Sequence, residues 1–254
     1  MKVSIITIVY NNKEHIADCI RSVKSQSYPN IEYIVIDGGS TDGTKDIIES
    51  FKKDITEYRS GPDSGLYDAL NKGVMIATGD LIGVLHSDDI FYDDFVVENV
   101  VNKIITASAD VIYGNGIYVD RNNPLRVRRI YSSRPFKRWY LMFGWIPLHT
   151  TIFVKRKLFE KHGVYDISYS ISSDYDLSLK WFLESDWKTV FVNKYFVRMR
   201  LGGKSTTISL QIKKSQQDLA IINSHRLLGF ITLMFKILRK IPQYIKPVLG
   251  IRLD

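Results

Sequence analysis

Three short apolar runs, each stopped abruptly by polar or acidic residues, limit what this chain can become. Val3–Val9, Ile31–Ile36 and Leu81–Leu85 have the length and the β-branched content of buried strands. An unbroken apolar run needs cover on both faces, as in a parallel sheet. Between the first two runs, Lys13–Ser25 places Ile16, Cys19, Ile20 and Val23 at helical spacing. Strand, helix and strand in that order predict a right-handed βαβ unit. Parallel strands bring their carboxyl ends to one rim, and open α/β sheets bind ligands there. The residues at that rim are Tyr10-Asn11-Asn12, Asp37-Gly38-Gly39-Ser40-Thr41-Asp42-Gly43 and His86-Ser87-Asp88-Asp89.

Their chemistry narrows the class. Adjacent carboxylates at Asp88 and Asp89 cannot be buried unpaired, and an oxygen-rich pair suits a hard divalent cation that would hold a diphosphate. An Asp capping a helix near Tyr92 is the competing reading. In the Asp37–Gly43 loop, glycines admit close approach of a ligand, and a carboxylate accepts hydrogen bonds from a base or ribose. A plain turn with Ser40 or Asp42 as helix cap needs fewer small and acidic residues than this loop carries. The Gly-x-Gly-x-x-Gly dinucleotide spacing is absent.

Farther along, Ile55–Arg59 reads as a strand and Leu66–Ala77 as a helix. Asp68 and Asn71 share a face near the start of that helix, where Lys72 could equally form an i,i+4 pair with Asp68. Phe95–Ile105 is helical; Asp110–Tyr113 and Gly116–Asp120 are strands, followed by a basic loop over Arg121–Arg138. The aromatic run Trp139–Trp145 suits core or interface better than an acceptor platform. His149 precedes the apolar run Thr150–Val154, as a structural histidine or one facing the site. Asp174 and Asp176 precede a helix over Leu177–Glu184, where the macrodipole favours acids and capping accounts for one of them. Trp187–Val192 and Tyr195–Arg200 resume strand character, and Gly202-Gly203-Lys204-Ser205-Thr206 is a cationic loop able to close over phosphates.

The single cysteine, Cys19, excludes an intrachain disulfide and cysteine-rich metal sites. With no signal peptide at the start, a cytoplasmic setting is expected. The formal charge is +8, of which +7 lies beyond residue 200. The last segment, Arg226–Leu253, mixes aliphatics with cations, and its run Leu227–Phe235 is shorter than the ~20 residues a bilayer span needs. A helix lying in a membrane interface fits it, as does one packed on the domain or a second subunit. Nucleic acid is disfavoured, because the cations are interleaved with aliphatics rather than aromatics.

Thr7-Ile8-Val9-Tyr10-Asn11, Val35-Ile36-Asp37-Gly38-Gly39-Ser40-Thr41-Asp42-Gly43-Thr44, Gly65-Leu66-Tyr67-Asp68-Ala69-Leu70-Asn71-Lys72-Gly73 and Leu85-His86-Ser87-Asp88-Asp89 occur in this order. Together they resemble the family-2 glycosyltransferases of GT-A fold that build bacterial surface polysaccharides such as O-antigen and capsule. Ser173-Asp174-Tyr175-Asp176 and Gly202–Thr206 extend the match. The resemblance implies a Rossmann-like α/β fold with a mostly parallel central sheet flanked by helices, followed by an amphipathic helical tail. It implies an inverting hexosyl or N-acetylhexosaminyl transfer from a UDP-sugar to a hydroxyl of a lipid-linked glycan. Thr7 and Tyr10 would line the uridine pocket, and Asp37 would hold the uracil or ribose. Asp68 and Asn71 would support the nucleotide. Asp88 would ligate Mn²⁺ or Mg²⁺ on the diphosphate, Asp89 would contact the donor sugar or support that metal site, and Asp174 would be the general base. His86 stands where many members carry an acid, and an imidazole there would favour Mn²⁺.

The expected organisation is a catalytic domain over 1–225, with a nucleotide half to about 105 and an acceptor half from 106, and a basic tail over 226–254. The tail would hold the protein peripherally on the inner face of the cytoplasmic membrane, and its removal would release it. A degenerate nucleotide-sugar-binding or scaffolding protein is the alternative. A nucleotidyltransferase would need a glycine-rich phosphate loop after the first strand, which Tyr10-Asn11-Asn12 is not.

Overall fold

The structure, a computed structural model, describes residues 1–202 and 208–248. The expected loop residues Gly203–Thr206 and the last six residues lie outside that range. Among the described residues nine strands form one sheet: β1 (Val3–Val9), β2 (Ile31–Asp37), β3 (Glu57–Ser60), β4 (Leu81–Val84), β5 (Ile90–Phe91), β6 (Val111–Val119), β7 (Val127–Tyr131), β8 (Ile152–Lys155) and β9 (Thr189–Arg200). The helices are α1 (Ile16–Lys24), α2 (Thr44–Ser50), α3 (Leu66–Ile76), α4 (Val96–Ala107), α5 (Trp139–Met142), α6 (Lys157–His162), α7 (Ser173–Leu183), α8 (Ile208–Ser224), α9 (Phe230–Leu238) and α10 (Ile241–Val248).

In space the strands run β3-β2-β1-β4-β8-β6-β9-β5, with β7 paired to β6. The first four are parallel, as the βαβ pattern requires. Beyond β4 the sheet is mixed: β8 joins antiparallel, and β9 is parallel to β6 but antiparallel to β5. Period-two alternation sends Ile6, Ile8, Ile34 and Ile36 to one core with α3 and α7. Val3, Ile5, Val9 and Val35 go to the other, with α1 and α4. Every residue of β1 is buried, which is why its run carries no alternation of polarity.

The second half departs from the sequence pattern in instructive ways. The two strands expected on either side of Gly114 are one long strand, β6, whose register against β9 slips at Gly114–Asn115. A side chain at 114 would come within 2.7 Å of the Phe196 ring and 2.8 Å of the Lys194 carbonyl, so the bulge needs glycine. Likewise β9 is continuous through Asn193-Lys194, and the basic loop contains the strand β7.

The tail packs on the domain along one side. Thr232 donates to the Met142 carbonyl at 2.7 Å, and Phe143 meets Phe235 edge-on. Arg129 of β7 lies against the rings of Tyr118 and Tyr244 and donates to Gln243 at 2.7 Å. Among the described residues no helix is long and apolar enough to cross a membrane.

Candidate active site

The carboxyl ends of β1, β2 and β4 meet at one rim, and hydrogen bonds stitch their loops together. Asn11, at φ 49°, receives Thr41 N–H on its side-chain oxygen and donates its own N–H to Ser40, both at 2.8 Å. Asn12 donates to Thr44 through its backbone and to Ser87 through its side chain, each at 2.9 Å. Asp37, 1% exposed, accepts from Gly39 N–H, Ser40 N–H and the Ser60 hydroxyl. Its carboxylate therefore builds the loop at the carboxyl end of β2. Thr7 is fully buried, and its hydroxyl accepts a bond from Tyr33 at 3.2 Å, so its side chain faces the core rather than a nucleotide. Tyr10 is half exposed above it. The Asp63 carboxylate fills the space a side chain at Gly38 would need, beside the Tyr10 ring, and adds an acid to this end of the site.

At the β4 end, Arg200 organises the acidic pair. This buried guanidinium donates to the Asp88 carbonyl at 2.8 Å and to Asp18 at 2.7 Å, while its backbone N–H reaches Asp89 at 3.2 Å. Asp89 is 2% exposed, and among the described residues its Oδ2 has no partner. Burial, with the neighbouring Asp88 charge added, pushes its carboxyl well above the usual range despite Arg200. Asp88 is less buried and sits where the strand has left the sheet.

Asp174 comes from the other half of the chain. Helix α7 begins at Ser173, four residues ahead of the expected start, so Asp174 lies in its first turn. Its Oδ1 is 2.7 Å from the Tyr67 hydroxyl of α3, and its Oδ2 is 3.2 Å from His149 Nδ1. The far nitrogen of that imidazole, Nε2, faces His86 Nε2 at 2.9 Å. His86–His149–Asp174–Tyr67 thus bridges the acidic β4 loop to the start of α7. Burial opposes ionisation of Asp174, but His149, Lys214 and the Tyr67 hydroxyl outweigh it and hold the carboxyl down at about 2. Burial, assisted by His149, lowers His86 to about 3, so it is neutral at ordinary pH.

The remaining expected residues have other partners. Asp68 accepts Ser64 N–H at 2.9 Å and pairs with Lys72 at 3.0 Å, and Asn71 exchanges two hydrogen bonds with the Tyr165 backbone. Asp176 is held by Lys180 and His225. Sequence reasoning did not find Arg200, Asp18, Asp63 or Tyr67. Tyr67 lies inside a quoted motif, but Arg200 and Asp18 are 182 positions apart and carry no common pattern.

Among the described residues no group of three or more His, Cys, Asp or Glu could enclose a metal ion. The donor set at β4 nevertheless fits a hard cation held mainly by phosphate oxygens and water, through Asp88, with beside it an Asp89 oxygen that has no partner among the described residues. His86 has one nitrogen committed to His149.

Residues 4–164 match the profile of glycosyl transferase family 2. The chain belongs to this family. The glycosyltransferase is 33% identical over 180 residues to a protein of Mycobacterium tuberculosis H37Rv known only as a glycosyltransferase, covering 70% of this chain and 68% of that one. It is 30% identical over 213 residues to a PGL/p-HBAD biosynthesis glycosyltransferase of Mycobacterium bovis BCG, covering 81% and 79%. Its fold is that of Staphylococcus aureus TarS 1–349 in complex with UDP-GlcNAc, at TM-score 0.70 and 16% identity over 87% of this chain and 66% of the other. The longer TarS structure is spanned over only 39% of its length. A Pyrobaculum calidifontis mannosyltransferase in complex with GDP-Man and Mn²⁺ superposes at TM-score 0.64 with 17% identity, over 88% of this chain and 63% of that one. The glycosyltransferase therefore has the GT-A α/β fold, a mixed sheet flanked by helices.

Proposed function

We propose that this glycosyltransferase moves a hexosyl or N-acetylhexosaminyl group, with inversion, from a UDP-sugar to a hydroxyl of a lipid-linked glycan in surface-polysaccharide assembly. The bridge from the Asp88 loop through His86 and His149 to Asp174 carries this reading, because it joins an acidic cation-binding end to an ionised base. The UDP-GlcNAc complex of TarS supports a UDP-sugar donor, and the PGL/p-HBAD biosynthesis relative of Mycobacterium bovis supports a biosynthetic glycosyltransferase.

In this mechanism Tyr10 stacks on the uracil, while Asp37 and Asp63 border the nucleoside. Asp68 and Asn71 hold the start of α3 and the Tyr165 wall in place around it. Asp88 would hold Mn²⁺ or Mg²⁺, which would neutralise the leaving diphosphate, and Asp89 would approach the donor sugar. Asp174 takes the proton of the acceptor hydroxyl as that oxygen forms its bond to the anomeric carbon, and the carbon–phosphate oxygen bond breaks with its electron pair leaving on UDP. One base and no protein nucleophile give inversion. His149 and the Tyr67 hydroxyl position the base. The catalytic unit would span 1–225, with 226–254 a peripheral contact to the inner face of the cytoplasmic membrane.

The deciding experiment measures sugar transfer from a panel of UDP-sugars to membrane-extracted acceptor, with the parent and Asp174→Asn in parallel. Transfer by the parent, lost in the variant, supports the proposal. UDP-sugar binding with no turnover by either protein overturns it in favour of a binding or scaffolding role.

A further inference from the structure

The amphipathicity of α9 is inverted. Phe230, Ile231, Met234, Ile237 and Leu238 are all exposed, Phe230 by 69%, and at 100° per residue they share one face about 120° wide. The opposite face buries Thr232 and Leu233 and turns Lys236 inward to Asp218 at 2.9 Å. Ile241, Tyr244 and Ile245 continue the exposed set on α10. A contiguous apolar surface of this kind marks an interaction site.

Two features outside the tail say what it meets. Trp139, 55% exposed, packs on Phe143, which packs on Phe235 of α9, so an amphipathic ring borders the apolar face. The flanking sequence is wholly without acids: none occurs between Asp120 and Glu160 or between Asp218 and Asp254, against ten and six Lys/Arg respectively. Arg134, Lys137 and Arg138 are exposed. Arg134 stands close enough to Arg239 to repel it. Among the described residues none of these four, nor Lys240, pairs with a carboxylate. Crowded cations without counter-charges, around an apolar strip edged by tryptophan, match a bilayer with anionic headgroups.

We propose that the outer face of α9 and α10, Trp139 and the flanking cations of residues 134–138 and 239–240 form one composite docking face for an anionic lipid bilayer. It rests on the membrane contact proposed above and extends it into the catalytic domain, so that the domain is fixed in orientation rather than tethered by a tail. A free helical tail would let the cleft tumble; a two-part footing would not.

The test is co-sedimentation of the full chain with vesicles of phosphatidylglycerol and phosphatidylcholine in equal parts, against phosphatidylcholine alone. The parent should bind the anionic vesicles at least tenfold more tightly. Trp139→Ala, Lys137→Glu/Arg138→Glu and Phe230→Ser/Met234→Ser/Ile237→Ser should each weaken that binding at least tenfold, while Phe95→Ser, an exposed apolar change ahead of α4, should not. A UDP-induced thermal shift equal to the parent's certifies each variant as folded. Should the α9 variant fail to fold, quenching of the parent by brominated lipid, lost in Trp139→Phe, reads the same contact. If only the α9 variant loses binding, the composite face is wrong and the tail contact stands. Binding to neither vesicle overturns both, as does preference for a soluble polyanion such as single-stranded DNA, or a stable dimer that buries the face.

Discussion

At the scale of single residues, His149, Lys214 and the Tyr67 hydroxyl keep the Asp174 carboxylate ionised. Asp174→Asn keeps shape and loses basicity, so transfer should fall about 10²–10⁴-fold with UDP binding within a few-fold of the parent. Activity assays beside UDP calorimetry measure both. Removing the Tyr67 hydroxyl as Tyr67→Phe takes away one of the interactions that depress Asp174. Its pKa then rises, and the acidic limb of kcat/KM should move to higher pH, visible in a pH–rate profile. Unchanged limbs in both profiles would remove Tyr67 from its positioning role. Asp174 and Asp88 were legible because they interrupt apolar patterns at element ends. His149 was legible only as an ambiguity, since a lone histidine before a strand says nothing of what it faces. Arg200 was not legible, because a buried arginine at the end of a strand looks like any edge cation until the chain folds.

Among the elements, the junction of β1, β2 and the turn before β4 is closed by Glu32. This buried carboxylate accepts from Lys2, Ser4 and Thr78, and although burial raises it, those donors bring it down to about 2. A depressed folded-state value gives stability that is full above the unfolded value near 4.5 and disappears as pH falls through about 2. Glu32→Gln should therefore cost on the order of 2–3 kcal/mol at neutral pH and almost nothing near pH 2, by denaturant titration at both. Gly114→Ala tests the bulge: a methyl group driven into Phe196 and the Lys194 carbonyl should cost ~1–3 kcal/mol. The first hundred or so residues were readable because each buried strand, α1 and α3 obeys its own period. The rest of the chain was less so. β7 lies in a run of arginines, and α8 interrupts its apolar spacing with Lys213–Gln217, so neither carries a clean period.

For the whole molecule, the tail is a structural part as well as a proposed footing. Truncation after residue 225 removes Leu233 and Thr232 from the domain and leaves Asp218 without Lys236. A loss of about 3 kcal/mol would lower the thermal midpoint by roughly 6–12 °C in a chain of this size. UDP binding should persist, since the rim of β1, β2 and β4 does not use the tail. Scanning calorimetry with and without UDP checks both halves of that statement. A midpoint equal to the parent's would show that the tail is an appendage.

The facing imidazoles also fix where their hydrogens lie. An ionised Asp174 can only accept, so His149 must carry its hydrogen on Nδ1 and offer a lone pair from Nε2. At 2.9 Å the opposing nitrogen must then supply the hydrogen, which places it on His86 Nε2 and leaves Nδ1 bare. His86 thus carries a lone pair and no proton on Nδ1: that nitrogen can accept a hydrogen bond or a metal ion, and it cannot donate to a phosphate.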